Sequence, residues 1–351
     1  MTDLRNLTLA ELEELILSLG EPKYRAKQIF SAIHKGAENL NEINVSQALR
    51  ERLTDISYIK NTKIVEKFVS KLDETTKYLL QLEDGNFIEC VLMRYKHGWT
   101  VCISTQIGCK MGCKFCASSH AKFERNLTAG EMLGQVLTMS REVTQRTNGA
   151  TTRVSNIVLM GIGEPLDNFE NVLKFLELVN SPNGINIGLR HISLSTCGIA
   201  DKIRDLAARK LQITLSVSLH AATDASRSEI MPINKRFNIN ELLAACREYA
   251  ETTGRRISFE YALINGVNDT ATDAADLAKL LKSRITPNLM HLNLIPINYV
   301  AEAGFTRSKD AESFRAELER LGITATLRRE LGADISAACG QLRSAKKEEI
   351  K

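Results

Sequence analysis

The 351-residue chain contains no run of about 18 consecutive apolar residues, the minimum for a helical membrane span, so it is read as having no membrane partner. Its N-terminal stretch, MTDLRNLTLAELEELILSLG, lacks the apolar block and small-residue cleavage site of a secretory signal and carries acidic residues throughout. A cytoplasmic protein is expected. No internal repeat or low-complexity segment stands out, which argues against a solenoid. A strong charge of either sign is missing too: 46 Lys and Arg against 42 Asp and Glu leave a net +4, which permits a nucleic-acid partner without requiring one. With 44% hydrophobic and 25% charged residues, the composition excludes wholesale disorder. One further absence is local. The stretch GCKMGCKFCASS, residues 108–119, holds three cysteines spaced C-x3-C-x2-C, without the fourth that a closed zinc site wants.

The rhythm of the chain changes near residue 98. Before it, LTLAELEELILSLG and KYRAKQIFSAIHKG space apolar residues three and four apart, which predicts short amphipathic helices; TKYLLQLEDGNFIECVLMRY then predicts two strands around Asp84 and Gly85. After it, the strand candidates VCIST, NIVLMG, HISLST, ITLSVSL, ISFEYAL, HLNLIP and ITATLR alternate with helical stretches. Among these are INELLAACREYAE and AGEMLGQVLTMSREVTQR, the latter introduced by Thr128 and Glu131 in capping-box spacing. Repeated βα units predict an α/β fold on a parallel sheet, doubly wound or curled into a partial barrel. Either architecture places ligands at the carboxyl ends of the strands, where the cysteine triplet falls after VCIST.

Eight cysteines in a reducing compartment suggest metal binding or catalysis before structural disulfides. Cys109, Cys113 and Cys116 could form a zinc knuckle by borrowing His120, Cys102 or Cys339 as a fourth ligand. They equally suit a cubane iron-sulfur cluster whose fourth iron stays open to a small molecule. Chance clustering of buried thiols fits poorly with a loop rich in Lys and Gly.

With Phe115 before the last cysteine, the triplet resembles the radical S-adenosylmethionine (SAM) superfamily. The stretches MGIGEPLDN, HISLSTCG, SVSLHA, RRISFEYALINGVND, NLIPIN and ELGADISAACGQLR together resemble the bacterial adenine-C2 methyltransferases of 23S ribosomal RNA and tRNA, over residues 87–343. The resemblance implies a partial (βα)6-type barrel over 99–343, a helical RNA-handling domain over 1–75, a β-rich connector over 76–98 and a solvated tail over 344–351. It implies a [4Fe-4S] cluster on Cys109, Cys113 and Cys116. It also implies SAM contacts from Gly163, Glu164, Ser195, Ser218, Leu219, His220 and Asn298. Taken singly, these last residues read as turns, capped strand ends or satisfied polar groups. Cys197 stands where the family pattern leads one to expect serine.

Carbon 2 of adenine is electron-poor and cannot attack a sulfonium methyl group as an ordinary nucleophile would. The resemblance implies a detour that uses two SAM molecules per turnover, one as methyl donor and one as radical source. Cys339 carries the methyl group, Glu89 takes the carbon 2 proton, and Cys102 releases the product by forming a disulfide with Cys339. The target sites would be the peptidyl-transferase region of 23S rRNA and the adenosine 3' to the anticodon of tRNA, with a flavodoxin or ferredoxin-type electron donor and a monomeric enzyme. Two rival readings are a sister family that methylates carbon 8, whose motif tends to GEA where this chain has Pro165, and a non-catalytic zinc-bound RNA-binding protein. For RNA contact, Lys23, Tyr24, Arg25, Lys27, Phe30 and Lys35 form a basic, aromatic-interleaved stretch. Lys122, Arg125, Arg328 and Arg329 add charge near the expected mouth. Cys246, inside a helical pattern, is expected in the core.

Overall fold

The computed structural model describes residues 1–147 and 153–343, so the expected tail over 344–351 lies outside the described residues. Three helices come first: α1 (Leu9–Ser18), α2 (Tyr24–His34) and α3 (Gln47–Ile56). Thr8 starts α1 through a capping box, its Oγ1 accepting from Glu11 N–H at 3.3 Å while Glu11 Oε2 accepts from Thr8 N–H at 2.7 Å. Apolar stripes on the three helices bury Leu12, Ile16, Ile29, Phe30, Ile33, Leu49 and Leu53 against one another and the core. Phe30 corrects an expectation. It is 2% exposed and stacks on His34 with ring centroids 4.1 Å apart, so it packs the interior and offers no face to RNA.

The helical unit is tied to the rest by polar contacts. The buried Arg5 donates to Asn61 Oδ1 at 3.0 Å and to the Lys60 carbonyl, Gly130 N–H donates to Asn6 Oδ1 at 2.9 Å, and Lys174 pairs with Glu11 at 2.7 Å.

A ten-stranded sheet follows, in which every strand pairs with its neighbour in sequence. Strands β1 (Lys63–Val69), β2 (Thr76–Gln81), β3 (Phe87–Tyr95) and β4 (Gly98–Cys102) form an antiparallel meander. From β4 onward the pairing is parallel, through β5 (Val154–Leu159), β6 (Ile192–Thr196), β7 (Thr214–Ser218), β8 (Ile257–Leu263), β9 (Met290–Pro296) and β10 (Ala325–Leu327). All seven strand candidates after residue 98 belong to this parallel part. β1 was not legible in the sequence, because KIVEKFV is an edge strand with most of its residues in solvent and charges interrupting its apolar positions.

Helices connect the parallel strands: α4 (Ala129–Arg146), α5 (Phe169–Asn180), α6 (Ala200–Ala208), α7 (Asp224–Ile230), α8 (Ile239–Thr253), α9 (Ala271–Arg284) and α10 (Ala311–Arg320). The Thr128–Glu131 capping box opens α4 as its spacing predicts. Cys246 is fully buried in α8.

The sheet cannot be flat. β5 and β10 lie five strands apart, about 24 Å in a flat sheet at ~4.8 Å per strand. Yet Arg328, just past β10, donates to Met160 Sδ just past β5 at 3.3 Å. The parallel strands therefore curl into a partial barrel with their carboxyl ends around one space. No helix among the described residues is long and apolar enough to cross a membrane.

Candidate active site

Gly108 opens the cysteine loop with φ +71°, and a Cβ there would meet the Lys122 carbonyl at 2.2 Å, so only glycine lets the loop double back this closely. Lys114 N–H donates to the Ile230 carbonyl at 3.0 Å and Cys116 N–H to that of Cys113 at 3.2 Å, which folds the loop over the strand ends. Cys109, Cys113 and Cys116 thereby line one cavity together with Glu164, His220 and Cys339. Burial pushes the Cys109 thiol up to about 12 and raises those of Cys113 and Cys116, with Cys116 and Cys109 adding to the rise at Cys113. Bound iron would offset that penalty by holding the sulfurs as thiolates.

Among the described residues, no three His, Cys, Asp or Glu side chains are gathered as a single-ion site. Three thiols spread along a roomy cavity fit a cluster, which distributes its ligands over several irons, better than a closed zinc tetrahedron.

The facing wall is made of strand ends. Gly163 has φ +108° and sits so close to Gln106 that a Cβ would meet that side chain at 2.6 Å, while Gln106 Oε1 accepts from Glu164 N–H at 2.8 Å. Glu164 is held inward, its carboxylate accepting from Leu166 N–H at 3.0 Å and from Cys197 N–H at 2.7 Å. Burial raises its pKa against those two bonds, leaving a carboxylate whose remaining lone pairs suit a cationic ligand.

Ser195, Ser218, His220 and Asn298 line the same cavity. His220 lies in the left-handed region (φ +57°), and its Nδ1 accepts from Ala262 N–H at 2.9 Å. Burial lowers its pKa to about 3, so the ring is neutral. Leu219 is different. It is wholly buried and meets the site only through its backbone, donating to the Glu260 carbonyl at 3.0 Å and accepting from Arg227 Nε at 3.1 Å.

Cys339 reaches the cavity on a strap that leaves β10, drops to the turn after β1 and returns. Ser70 and the Lys71 N–H, each at 2.7 Å from the Asp334 carboxylate, pin its low point. On the return, Asn298 Nδ2 donates to the Cys339 carbonyl at 2.9 Å, Ala117 N–H to the Gly340 carbonyl at 2.7 Å and Ser118 Oγ to the Leu342 carbonyl at 2.8 Å. The cysteine loop and the Cys339 strap thus clasp each other. The strap's backbone is thus fastened before, at and after Cys339.

Glu89 and Cys102 lie beside this strap and off the cavity wall. Glu89 is 8% exposed, paired with Lys77 at 2.9 Å and accepting from Arg343 N–H at 2.8 Å, four residues past Cys339. Cys102 ends β4 with its thiol pushed up to about 12, first by burial and then by Cys339. All eight cysteines are free.

Sequence reasoning missed the charges beneath the site. Arg328, expected near the mouth, is half-buried, pairs with Glu260 at 3.1 Å and lines the cavity with Cys339. Its positive form is reinforced first by Cys339 and also by Glu260 and Cys102. Arg227 has no exposed surface and braces the strand ends, donating to the carbonyls of Cys197 at 2.7 Å and Ser218 at 3.1 Å. Arg125, also taken as mouth charge, is spent on Asp84 at 2.5 Å and Glu131 at 2.8 Å.

The sequence model of the radical SAM superfamily matches residues 103–279, and that of the ribosomal RNA large subunit methyltransferase N-terminal domain matches residues 2–59. A probable dual-specificity RNA methyltransferase RlmN from Clostridium perfringens (strain 13 / Type A) is 52% identical over 347 residues, covering 98% of this chain and 97% of the relative. The protein so named from Clostridium novyi (strain NT) is 50% identical over 347 residues, covering 98% of each. The crystal structure of a radical SAM methyltransferase from Sphaerobacter thermophilus superimposes with a TM-score of 0.91 at 43% identity, covering 98% of this chain and 99% of that one. Near-complete coverage at such identity, with the cysteine loop inside the matched core, leaves one conclusion: the chain belongs to the radical SAM superfamily and, within it, to the RlmN family of RNA methyltransferases.

Proposed function

We propose that this enzyme methylates carbon 2 of an adenosine in the peptidyl-transferase region of 23S rRNA and of the adenosine 3' to the anticodon in tRNA, in the cytoplasm and as a monomer. One observation carries the reading: Cys339 stands on the wall of the cavity that holds Cys109, Cys113 and Cys116, with Glu89 and Cys102 beside its strap. When bound through those three thiols, a [4Fe-4S] cluster reduced by a flavodoxin or ferredoxin-type donor supplies the electron for cleaving SAM.

The chain's own residues do the rest. Gly163, Glu164, Ser195, Ser218, Leu219, His220 and Asn298 hold SAM, with Glu164 suited to its ammonium group. The Cys339 sulfur displaces the methyl group of a first SAM, so that a carbon-sulfur bond forms on the protein as the sulfonium bond breaks. A second SAM is spent in activating that methyl group toward carbon 2. Glu89 accepts the carbon 2 proton. Cys102 then attacks the Cys339 sulfur, which releases the methylated RNA and leaves a disulfide to be reduced by two electrons.

Arg328 serves this sequence by position. A guanidinium beside Cys339 and Cys102, paired with Glu260 at 3.1 Å, stands where it can offset the negative charge a sulfur brings to its attack. Arg328→Met is expected to slow methylation of Cys339 about tenfold at neutral pH, and Arg328→Lys to restore most of the rate, since it keeps the charge. The mass of the Cys339 peptide after incubation with SAM reads both. Equal rates in Arg328→Met and wild type would remove this role.

The regiochemistry is tested by digesting unmodified rRNA and tRNA transcripts after reaction and separating the nucleosides. 2-Methyladenosine is expected from the wild type and none from Cys339→Ala; 8-methyladenosine would hand the chain to the sister reaction.

A further inference from the structure

Below the strap, on the side away from the cysteine loop, lies a second open cavity of about 1150 Å³ whose wall includes Arg94, Tyr95, Lys96, His97, Arg329 and Leu72. Two features set it apart from an ordinary solvated surface. Tyr95 and His97 stack with ring centroids 5.1 Å apart and planes within 15°, forming a flat aromatic platform at the β3–β4 turn. Among the described residues, Arg94, Lys96 and Arg329 form no ion pair with any carboxylate, whereas Arg125, Arg307, Arg328 and Arg343 each do. Arg94 leans on the Trp99 ring at 5.2 Å and has no other partner of note. Two carboxylates share the wall, the exposed Glu74 and Asp73, the latter accepting from Thr75 N–H at 2.8 Å and Gly332 N–H at 3.1 Å, so the three cations outnumber them.

The cavity is also connected to the chemistry. Tyr95, Arg329 and Leu331 are shared with a smaller cavity of about 460 Å³, whose wall continues through Ala338 and Asn298 to Cys339. A groove therefore runs from the methyl-carrying sulfur to a stacking platform flanked by uncommitted cations. This is the pattern by which proteins hold single-stranded nucleic acid: cations for the phosphates and an aromatic face for the base.

We propose that this groove binds the single-stranded RNA next to the target adenosine, with one base against the Tyr95–His97 platform and the adjoining phosphates on Arg94, Lys96 and Arg329. The inference rests on the RNA reading above and adds the surface that holds the strand while the target base sits at Cys339.

The test uses full-length holoenzyme and unmodified tRNA transcript, with affinity measured across a salt series. Arg94→Gln, Lys96→Gln and Arg329→Gln combined should weaken binding about 10- to 100-fold. They should also flatten the log–log salt slope by about 2, since each single-strand phosphate contact contributes ~0.7. His97→Ala, at an exposed position, should weaken binding several-fold with the slope unchanged, because stacking releases no counterions. Both variants should methylate Cys339 from SAM, without RNA, at the wild-type rate. Wild-type affinity and slope in both variants would overturn the groove while leaving the RNA reading intact. A wild-type enzyme that neither binds nor methylates the transcript would overturn the RNA reading and the groove together.

Discussion

Cys113→Ala is expected to lose all bound iron and, with it, all methyl transfer to RNA, while the protein keeps its fold. Of the three loop cysteines, Cys113 sits deepest at 8% exposure and repels both neighbours, so its sulfur is the one least able to stay anionic without a cation beside it. Two remaining loop thiols cannot hold a cubane that needs three protein ligands. The loop's shape does not depend on that side chain. It depends on Gly108 and on backbone bonds from Lys114 to Ile230 and from Cys116 to Cys113, all of which an alanine keeps. Anaerobic reconstitution followed by iron and sulfide analysis should therefore give brown wild-type protein and colourless variant with similar melting temperatures. 5'-Deoxyadenosine formed by an iron-free variant would refute the assignment, and a wild type that takes up stoichiometric zinc in place of iron would favour the non-catalytic alternative.

Much of the architecture was legible because the parallel strands bury an apolar row, Ile157 and Leu159 in β5 and Leu292 and Leu294 in β9. NIVLMG and HLNLIP could scarcely be anything else once helical stretches separated them. The meander before β4 was half legible: the Asp84–Gly85 turn announces the β2–β3 hairpin, whereas β1 sits at an exposed edge and carries the polar pattern of a loop. The site splits along a similar line. Clustered cysteines and strand-end motifs are chemically marked, so their residues could be named by sequence alone. Arg227, Glu260 and Arg328 could not. A buried charge looks identical in sequence to a solvated one, and only the curl of the sheet brings Arg328 against Glu260 and under Cys339. The converse error has the same origin. Phe30 lies among lysines and arginines in sequence but on the apolar stripe of α2 in space.

The clasp between the strap and the cysteine loop bears on how the enzyme turns over. Ala117 and Ser118, directly after Cys116, bond the carbonyls on either side of Gln341, so the loop and the Cys339 segment form one unit. Gly340 turns the strap there with φ +83°, a left-handed conformation that favours glycine. In the sequence of steps proposed above, the Cys339 side chain turns from the cavity toward Cys102 while the strap stays fastened. Such an arrangement suits a sulfur that must meet SAM on one side and a second thiol on the other.

Cys102→Ala tests that rotation and the step no ordinary methyltransferase shares. Every earlier event, from methylation of Cys339 to bond formation with adenine, precedes the attack of Cys102, so the variant should stop with RNA joined to the protein through a methylene bridge on Cys339. The Cys102 thiol is pushed up to about 12 by burial and then by Cys339, with Arg328 acting against that rise, so the proposed attack depends on this one guanidinium. Cys90 lies in the strand paired with β4, yet it is fully buried and raised well above the ordinary thiol range, chiefly by burial. Expressed with cellular RNA, Cys102→Ala should show a slower band on denaturing electrophoresis. That band should collapse on nuclease treatment, resist thiol reductant because no disulfide holds it, and vanish when Cys339→Ala is added. If Cys102→Ala turns over normally without a nuclease-sensitive band, Cys102 is only the buried end of β4, and product release must use a group other than a second cysteine.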